Sequence, residues 1–235
     1  MLVVEDRGHT HMEPQIGGKI GGKDERIMSI QEQQHWEHVH RTKDERSVSW
    51  FQEAPSLSLE LVGNARLAPG SSIVDIGGGT SPLADALLKA GYRVTVLDIS
   101  EAALSVAKSR LADQASKVTW VAADVRAWEP AAAAYDLWHD RAAFHFLTAP
   151  GDRAAYIARL KTALRAGGTV IIATFALDGP EKCSGLPVMR YSGESLAQTL
   201  GADFEWIETR AHDHTTPSGA VQKFQFSTFR KRHPA

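Results

Sequence analysis

Three aspartates interrupt or end apolar runs, and they are the side chains best suited to bind a ligand. Asp75 stands inside "IVDIGGGT", Asp98 ends "YRVTVLD", and Asp124 ends "KVTWVAAD". A carboxylate in an apolar run is costly unless something pairs with it, and an ammonium group of a ligand would satisfy Asp75. Asp98 could accept hydrogen bonds from both hydroxyls of a ribose, and Asp124 one from an exocyclic amine. An ammonium group, a ribose and an adenine amine together describe S-adenosylmethionine.

The glycine run Gly77, Gly78 and Gly79 admits another interpretation, a loop that binds the phosphates of a dinucleotide. That fingerprint requires Gly-x-Gly-x-x-Gly, and Pro82 occupies its third glycine position. The loop also lacks the Lys-Ser or Lys-Thr pair of a phosphate cradle. A pyrophosphate is therefore disfavoured, and we expect the glycines to offer bare backbone to a different ligand.

A second polar cluster lies in "LWHDRAAFHFL", where a fourth strand should end. His139 is expected beside the cofactor. Asp140, Arg141 and His145 are the catalytic candidates that could contact a substrate, because a helix here would place Arg141 and His145 on one face. The alternative is that Asp140 and Arg141 cap a turn and that His145 is a packed, hydrogen-bonded histidine.

Two later segments also carry side chains that could do chemistry. The loop "LDGPEKCSGLPVMRYS" is long enough to be a lid, and its Cys183 could capture a thiophilic substrate as a thiolate or be a spectator. Arg190 could hold an acidic substrate or bridge to the surface. His212 and His214 could bind a metal as a His-x-His pair, but a solvated turn is favoured, and no metal site is predicted.

The hydrophobic pattern indicates which elements position these residues. Residues 29–41 favour a helix, and Ser56 could cap a second helix that ends near Gly63. A continuous apolar run at residues 72–76 indicates a buried parallel strand. Four more strands follow, in "YRVTVLD", "KVTWVAAD", "AYDLWHD" and "TVIIATF".

Helical segments separate or follow these strands. They are "SPLADALLKAG", "SEAALSVAKSRLA" capped by Ser100, "GDRAAYIARLKTALRAGG" ending at Gly167 and Gly168, and "SGESLAQTLG" capped by Ser192. The last two strands, "DFEWIETR" and "VQKFQFSTFR", have no helix between them and should pair as a hairpin. The pattern predicts an α/β fold: a Rossmann-like, seven-stranded, mostly parallel sheet with helices on both faces and a C-terminal antiparallel β-hairpin.

Composition limits the remaining possibilities. The chain has 235 residues, and its polar, glycine-rich start predicts a flexible leader at 1–27, in which His9 and His11 would be solvated. A single domain at 28–235 should follow, with a helical cap over the cofactor at 28–66 and the α/β core at 67–235. The net charge of −2 does not support nucleic-acid binding, and no apolar run is long enough for a membrane helix. A single cysteine fits a reducing compartment, which predicts a cytoplasmic protein.

Three segments at the right spacing resemble the class I S-adenosylmethionine-dependent methyltransferase family. "VDIGGGT" resembles the first motif of the family, "VTVLDIS" its acidic second-strand motif, and "VAADV" its adenine-contact motif, so that the resemblance covers residues of about 73 to 175. Ser81 departs from the third alternate glycine that many members carry. The resemblance implies S-adenosylmethionine as cofactor, S-adenosylhomocysteine as product, and contacts from Asp75, Gly77, Gly78, Gly79, Asp98, Ile99, Asp124, Val125 and His139.

The N-terminal segment "HWEHVHRTKDERSVSWFQEAPSLSLEL" is similar to a subgroup with His-Trp and Ser-Trp-Phe motifs. This subgroup contains small bacterial methyltransferases and distant relatives that methylate protein lysines, and its N-terminal segment folds over the cofactor. The resemblance implies that Trp36 and Trp50 cover the sulfonium, although both could be ordinary core residues. His40 stands where the subgroup usually has tyrosine.

The sequence therefore predicts a methyltransferase that transfers a methyl group by in-line displacement to a nucleophilic acceptor, with a small molecule favoured. The alternatives are a protein-lysine methyltransferase and a non-catalytic module that binds S-adenosylmethionine. An NAD-dependent oxidoreductase is a further, weaker alternative. The sequence does not indicate whether nitrogen, oxygen or sulfur is methylated, nor the oligomeric state.

Overall fold

The computed structural model describes residues 21–234, with side chains from Ser29 onward. The six helices of this part are α1 (Gly21–Thr42), α2 (Ser56–Asn64), α3 (Leu83–Lys89), α4 (Glu101–Leu111), α5 (Pro150–Ala163) and α6 (Gly193–Leu200). The strands are β1 (Ser72–Ile76), β2 (Arg93–Asp98), β3 (Val118–Ala122), β4 (Tyr135–Arg141), β5 (Leu164–Phe175), β6 (Lys182–Cys183), β7 (Leu186–Pro187), β8 (Phe204–Thr215) and β9 (Val221–Lys231). Short 3₁₀ turns occupy Ala112–Lys117 and Phe144–Phe146.

Seven strands form one sheet in the order β3-β2-β1-β4-β5-β9-β8. The pairs β1–β2, β2–β3, β1–β4 and β4–β5 are parallel, whereas β9 runs antiparallel to both β5 and β8. The predicted fold class, with its C-terminal antiparallel hairpin, is confirmed. The chain moves outward from β1 to β3 and then returns to the other side of β1 with β4, so the strand order reverses between β1 and β4.

Alternate side chains of the central strands build a core on each face of the sheet. Ile73, Leu137 and Ile171 face one core together with Leu61 of α2 and Leu83 of α3. Val74, Trp138 and Val170 face the other core, which α5 and α6 cover through residues such as Leu160 and Leu196. Because both faces are covered, the strands are apolar almost throughout, as their sequences indicated.

Local capping explains where several helices begin. The Ser100 side chain accepts a hydrogen bond from the Ala103 N–H at the start of α4, and Ser192 forms a capping box with Ser195 at the start of α6. Both caps were predicted. The predicted cap at Ser56 is wrong, since Ser56 is the first helical residue of α2 and the residue before it is Pro55.

Several predicted boundaries differ from the structure. Helix α5 ends at Ala163 rather than at the glycine pair, because the buried Leu164 is extended and pairs with Tyr135 of β4. Strand β8 continues to Thr215, since its pairing with β9 extends to Val221. Residues 211–215, which lie between the two predicted strands, are therefore strand as well.

The N-terminal boundary also differs. Helix α1 begins at Gly21, so residues 21–27, expected in the flexible leader, are helical. His9 and His11 lie outside the described residues. None of the described helices combines the length and the apolar character needed to cross a membrane.

Candidate functional site

A cavity of about 390 Å³ lies at the carboxyl ends of β1, β2 and β4, where the strand order reverses. This is the edge at which open α/β sheets bind their ligands. Helix α1, the segment around Trp50 and the β6–β7 hairpin complete its wall. All eleven residues that the sequence nominated for cofactor binding line the cavity: Trp36, Trp50, Asp75, Gly77, Gly78, Gly79, Asp98, Ile99, Asp124, Val125 and His139.

A chain of three buried side chains holds Asp75 in place. The Oδ1 atom of Asp75 lies 2.7 Å from Nδ1 of His139, and Nε2 of His139 lies 2.9 Å from Oγ of Ser58. Because a carboxylate only accepts, Nδ1 of His139 donates to it, and in the neutral tautomer Nε2 accepts from the Ser58 hydroxyl. The second oxygen, Oδ2 of Asp75, is buried without a hydrogen-bond partner among residues 29–234. It is therefore a ready acceptor for a cation that enters the cavity.

The three glycines are required by the side chains behind them. A Cβ atom on Gly78 would lie 2.6 Å from Oδ2 of Asp75, and one on Gly79 would lie 2.7 Å from an oxygen of Asp98. Gly77 adopts a φ of +64°, and a Cβ atom there would lie 2.8 Å from that of Ala143. The run therefore lets bare backbone pass directly over two carboxylates.

Asp98 ends β2 and is almost fully buried. Its Oδ1 accepts a hydrogen bond of 2.8 Å from the N–H of Ser100. Burial raises the pKa of Asp98 to about 7, and the nearby charge of Asp75 adds to this effect, while backbone N–H donors oppose it. Ligand hydroxyls that donate to this carboxylate would favour its ionised form.

Asp124 already has several partners. Nε of Arg126 lies 2.9 Å from both of its oxygens, and the hydroxyl of Ser29 in α1 also donates to it. Burial alone would raise the pKa of Asp124, but the hydrogen bonds from Arg126 and Ser29 outweigh burial and lower it. Arg126 also pairs with Glu32, so this cluster ties α1 to the end of β3. An amine that binds here has to share Asp124 with these donors.

Helix α1 is held over the cavity at a second point. The Glu37 carboxylate accepts from the N–H groups of Glu101 and Ala102, the first residues of α4. These donors have no partner within their own helix, and the helix dipole also favours an anion there. The contact fixes the position of the adjacent Trp36 in the cavity wall.

Trp36 and Trp50 pack edge to face, with ring centroids 5.6 Å apart, and Trp36 also meets Phe146 at 5.1 Å. All three rings line the cavity. Trp36 and Trp50 are therefore packed against each other within the cavity wall, and their cover of the sulfonium stays a prediction.

Of the three predicted catalytic residues, only Arg141 lines the cavity, whereas Asp140 and His145 do not. Asp140 is fully buried and accepts from the N–H groups of Ala143 and Phe144 and from the hydroxyl of Tyr156. It is absent from the cavity wall, and its bonds are those of the turn cap that was the alternative interpretation. Burial raises its pKa to about 6.

His145 also lies away from the cavity wall, packed against Phe146 and Phe175. The expected helix does not form, because Ala142 takes a φ of +69° and a 3₁₀ turn follows. The geometry thus opposes direct substrate contact by Asp140 and His145. Neither ring nitrogen of His145 has a partner in the described part of the chain, and burial, together with Arg141, lowers its pKa to about 3.

Arg141 lines the cavity. Its Nη1 donates to the carbonyl oxygen of Trp50 at 3.1 Å, and its guanidinium lies over the ring of Phe224 at 5.1 Å. Cys183 also contributes to the wall, but burial raises its pKa to about 11, so the side chain is a thiol at neutral pH. A thiolate function of Cys183 is therefore disfavoured.

The other polar candidates have structural partners. Arg190 pairs with Glu181, Nε2 of His214 lies 2.8 Å from the carbonyl oxygen of Ser49, and His212 packs against Phe226. Among the described residues, no three or more His, Cys, Asp or Glu side chains are grouped so as to hold a metal ion.

Sequence reasoning missed Ser58, Glu37 and Arg126. Ser58 carried a signal, because a serine one turn before Leu61 and Val62 stands on the buried face of an otherwise apolar helix. Glu37 carried none, since its partners in α4 are 64 and 65 residues away in the chain. Arg126 carried a local signal as a cation two residues after Asp124, but its contact with Glu32, 94 residues away, carried none.

Comparison with known proteins concerns the central part of the chain. Residues 73–168 match the family model described as a methyltransferase domain. The matched segment contains β1 to β4 and the start of β5, and hence the glycine run, Asp98 and Asp124. No curated protein matches the chain significantly.

Solved structures share this fold over most of the chain. One is the 1,6-didemethyltoxoflavin-N1-methyltransferase of Burkholderia thailandensis with bound 1,6-didemethyltoxoflavin and S-adenosylhomocysteine, at 21% identity and a TM-score of 0.69, covering 95% of this chain and 99% of that one. Another is an S-adenosylmethionine-dependent methyltransferase of Anabaena variabilis, at 14% identity and a TM-score of 0.68, covering 87% and 95%. At these identities the likeness establishes a common fold.

Proposed function

We propose that the protein is an S-adenosylmethionine-dependent methyltransferase that acts on a small-molecule acceptor. The observation that carries this proposal concerns Oδ2 of Asp75, which has no hydrogen-bond partner among residues 29–234 and is buried beside a glycine run that brings backbone against it. An ammonium group next to a backbone-binding amino-acid tail satisfies this arrangement, whereas a phosphate would be repelled by Asp75 and Asp98.

The cavity wall provides a partner for each part of the cofactor. Asp75, oriented by His139 and Ser58, accepts from the ammonium group, and Asp98 accepts from the ribose hydroxyls. Ile99 and Val125 line the region for the adenine, and Asp124 accepts from its amine beside Arg126. The corresponding structure from Burkholderia thailandensis was solved with S-adenosylhomocysteine, which supports this choice of cofactor.

S-adenosylmethionine supplies a methyl group activated by a sulfonium. The residues of the chain align the acceptor at a near-attack distance of about 3–3.5 Å and exclude water. Trp36 and Trp50 present aromatic rings that stabilise positive charge. His40 also lines the cavity, and burial lowers its pKa, so a neutral imidazole can accept a proton from a protonated acceptor.

Three segments cover the acceptor side of the cavity, which supports a small acceptor over a protein side chain. They are helix α1, the residues Trp50 to Gln52, and the β6–β7 hairpin. A protein lysine would need an open groove through this cover. The Burkholderia thailandensis enzyme, whose acceptor is a small heterocycle, is consistent with this preference.

Two measurements test the proposal. Calorimetric titration should give saturable binding of S-adenosylmethionine and S-adenosylhomocysteine and none of NAD; tighter binding of NAD would reject the cofactor. Formation of S-adenosylhomocysteine should then appear with a panel of small thiols, amines and carboxylates. Binding without turnover by any small acceptor, together with labelling of proteins in filtered extract, would favour the protein-lysine alternative.

A further inference from the structure

Arg141 has one edge of its guanidinium without any partner. Nη1 donates to the carbonyl oxygen of Trp50, but Nε and Nη2 are buried and bond to nothing within residues 29–234. The Nε–H and Nη2–H groups form the side of the guanidinium that binds two coplanar oxygens of one anion. A buried charged donor pair of this kind is costly until an acceptor reaches it.

The groups around Arg141 leave its charge uncompensated. Burial lowers the pKa of Arg141 to about 10, so it remains protonated at neutral pH. Cys183 is a neutral thiol, and His145, His212 and His214 have pKa values lowered by burial and by Arg141 itself. Asp75 contributes a negative field, but its Oδ1 is bonded to His139 and its Oδ2 faces the glycine run.

The cavity that Arg141 lines also has aromatic and apolar side chains in its wall. They include Trp36, Trp50 and Phe146, with Leu186 from the β6–β7 hairpin. Such a wall suits a flat, apolar body, and Arg141 suits an anionic group at its end.

We propose that the methyl acceptor carries a carboxylate, which Arg141 holds through Nε–H and Nη2–H, next to an aromatic body. This inference rests on the proposed function and names the substrate class. The β6–β7 hairpin places Cys183 and Leu186 in the wall of the same cavity. The carboxylate positions the acceptor, and the methylated atom lies elsewhere on it.

The test uses benzoate and benzamide, which share a shape and differ in charge, with protein saturated by S-adenosylhomocysteine. We expect benzoate to bind at millimolar concentration and at least about tenfold more tightly than benzamide, as one charged contact provides. Arg141→Gln should remove this preference, and Arg141→Lys, which keeps the charge without the two-donor edge, should retain only part of it. Arg190→Gln, which removes an arginine paired with Glu181 outside the cavity wall, should leave the preference unchanged.

Equal binding of benzoate and benzamide, absence of benzoate binding, or tighter binding of phenyl phosphate would each overturn the carboxylate inference. The inference would also be overturned if a folded Arg141→Gln protein kept the full preference for benzoate over benzamide. If the Arg141 variants do not fold, the binding of benzoate, benzamide and phenyl phosphate to the unaltered protein still tests the inference. Failure of S-adenosylhomocysteine itself to bind would instead reject the proposed function, so the two failures are distinguishable.

Discussion

Nδ1 of His139 lies 2.7 Å from Oδ1 of Asp75, and this contact fixes which carboxylate oxygen is left for a ligand. Because His139 is itself held by Ser58, Oδ2 of Asp75 points to the glycine run without a partner in the described part of the chain. The site is thus preorganised for a cation, and removal of any member should weaken cofactor binding in a defined way.

Replacing Asp75 should remove cofactor binding without unfolding the sheet. Asp75→Asn keeps the side-chain volume and loses the charge, so we expect affinity for S-adenosylmethionine to fall about a hundredfold, or about 3 kcal/mol. Asp75→Ala should abolish binding. The thermal unfolding midpoint of the ligand-free Asp75→Asn protein should be unchanged or higher, because a buried charge is removed. The exposed Asp213→Asn serves as control, and a full-affinity Asp75→Asn would contradict the assignment.

Ser58 should act as a positioning residue. Ser58→Ala removes the donor to His139 Nε2, and we expect affinity for the cofactor to fall by about 1 kcal/mol, or roughly fivefold. The effect should appear in KM for S-adenosylmethionine and leave kcat nearly unchanged. Ser56→Ala, at the exposed start of the same helix, is the matched control. A purely structural role would lower thermal stability and leave KM unaffected.

A methyl group on Gly78 should displace Asp75. The added Cβ would lie 2.6 Å from Oδ2 of Asp75 and 2.9 Å from Cγ1 of Val96, so Gly78→Ala should weaken cofactor binding by more than about tenfold. Gly63→Ala in α2 meets no atom within 4 Å and should gain about 0.5–1 kcal/mol of stability with normal binding. Calorimetry and thermal unfolding of both variants make the comparison. Equal affinities would show that the glycine is not needed there.

Cofactor affinity should depend on the ionisation of Asp98. Its pKa of about 7 means that the carboxylate is mostly ionised at pH 8 and mostly protonated at pH 6. Since ribose hydroxyls donate to the ionised form, affinity for S-adenosylhomocysteine should weaken as pH falls, by up to about tenfold over this interval. Asp98→Asn should lose this part of the pH dependence. Subtracting the pH profile of the variant from that of the unaltered protein cancels the titration of the ligand itself. Parallel pH profiles would exclude Asp98 as the titrating group.

Glu37 should hold α1 over the cavity. Glu37→Gln weakens the bond to the first N–H groups of α4, and we expect faster hydrogen exchange in α1 and cofactor affinity reduced severalfold. Exposed Glu129→Gln should change neither. Unchanged exchange in α1 would show that the Ser29, Glu32 and Arg126 contacts suffice.

The sequence alone determined the sheet and the cofactor side of the site. Strands β1 and β2 are short, mostly apolar runs, and such a local pattern predicts a strand that is buried on both faces. The acids that end or interrupt these strands meet at one sheet edge, because parallel strands share their direction. Asp75, Asp98 and the glycines could therefore be placed at one sheet edge before any coordinate was available.

Only the tertiary structure decided which polar residues of "HDRAAFHF" face the cavity. Asp140 and His145 turn into the core because Ala142 adopts a positive φ and a 3₁₀ turn replaces the expected helix, and Arg141 alone of the three lines the wall. The hydrogen bond between Ser58 and His139 joins residues 81 positions apart in the chain. The edge of Arg141 that has no partner in the described part of the chain likewise results from contacts between distant segments. Local propensity carries no information on such contacts, because their energy arises only when packing removes the groups from water.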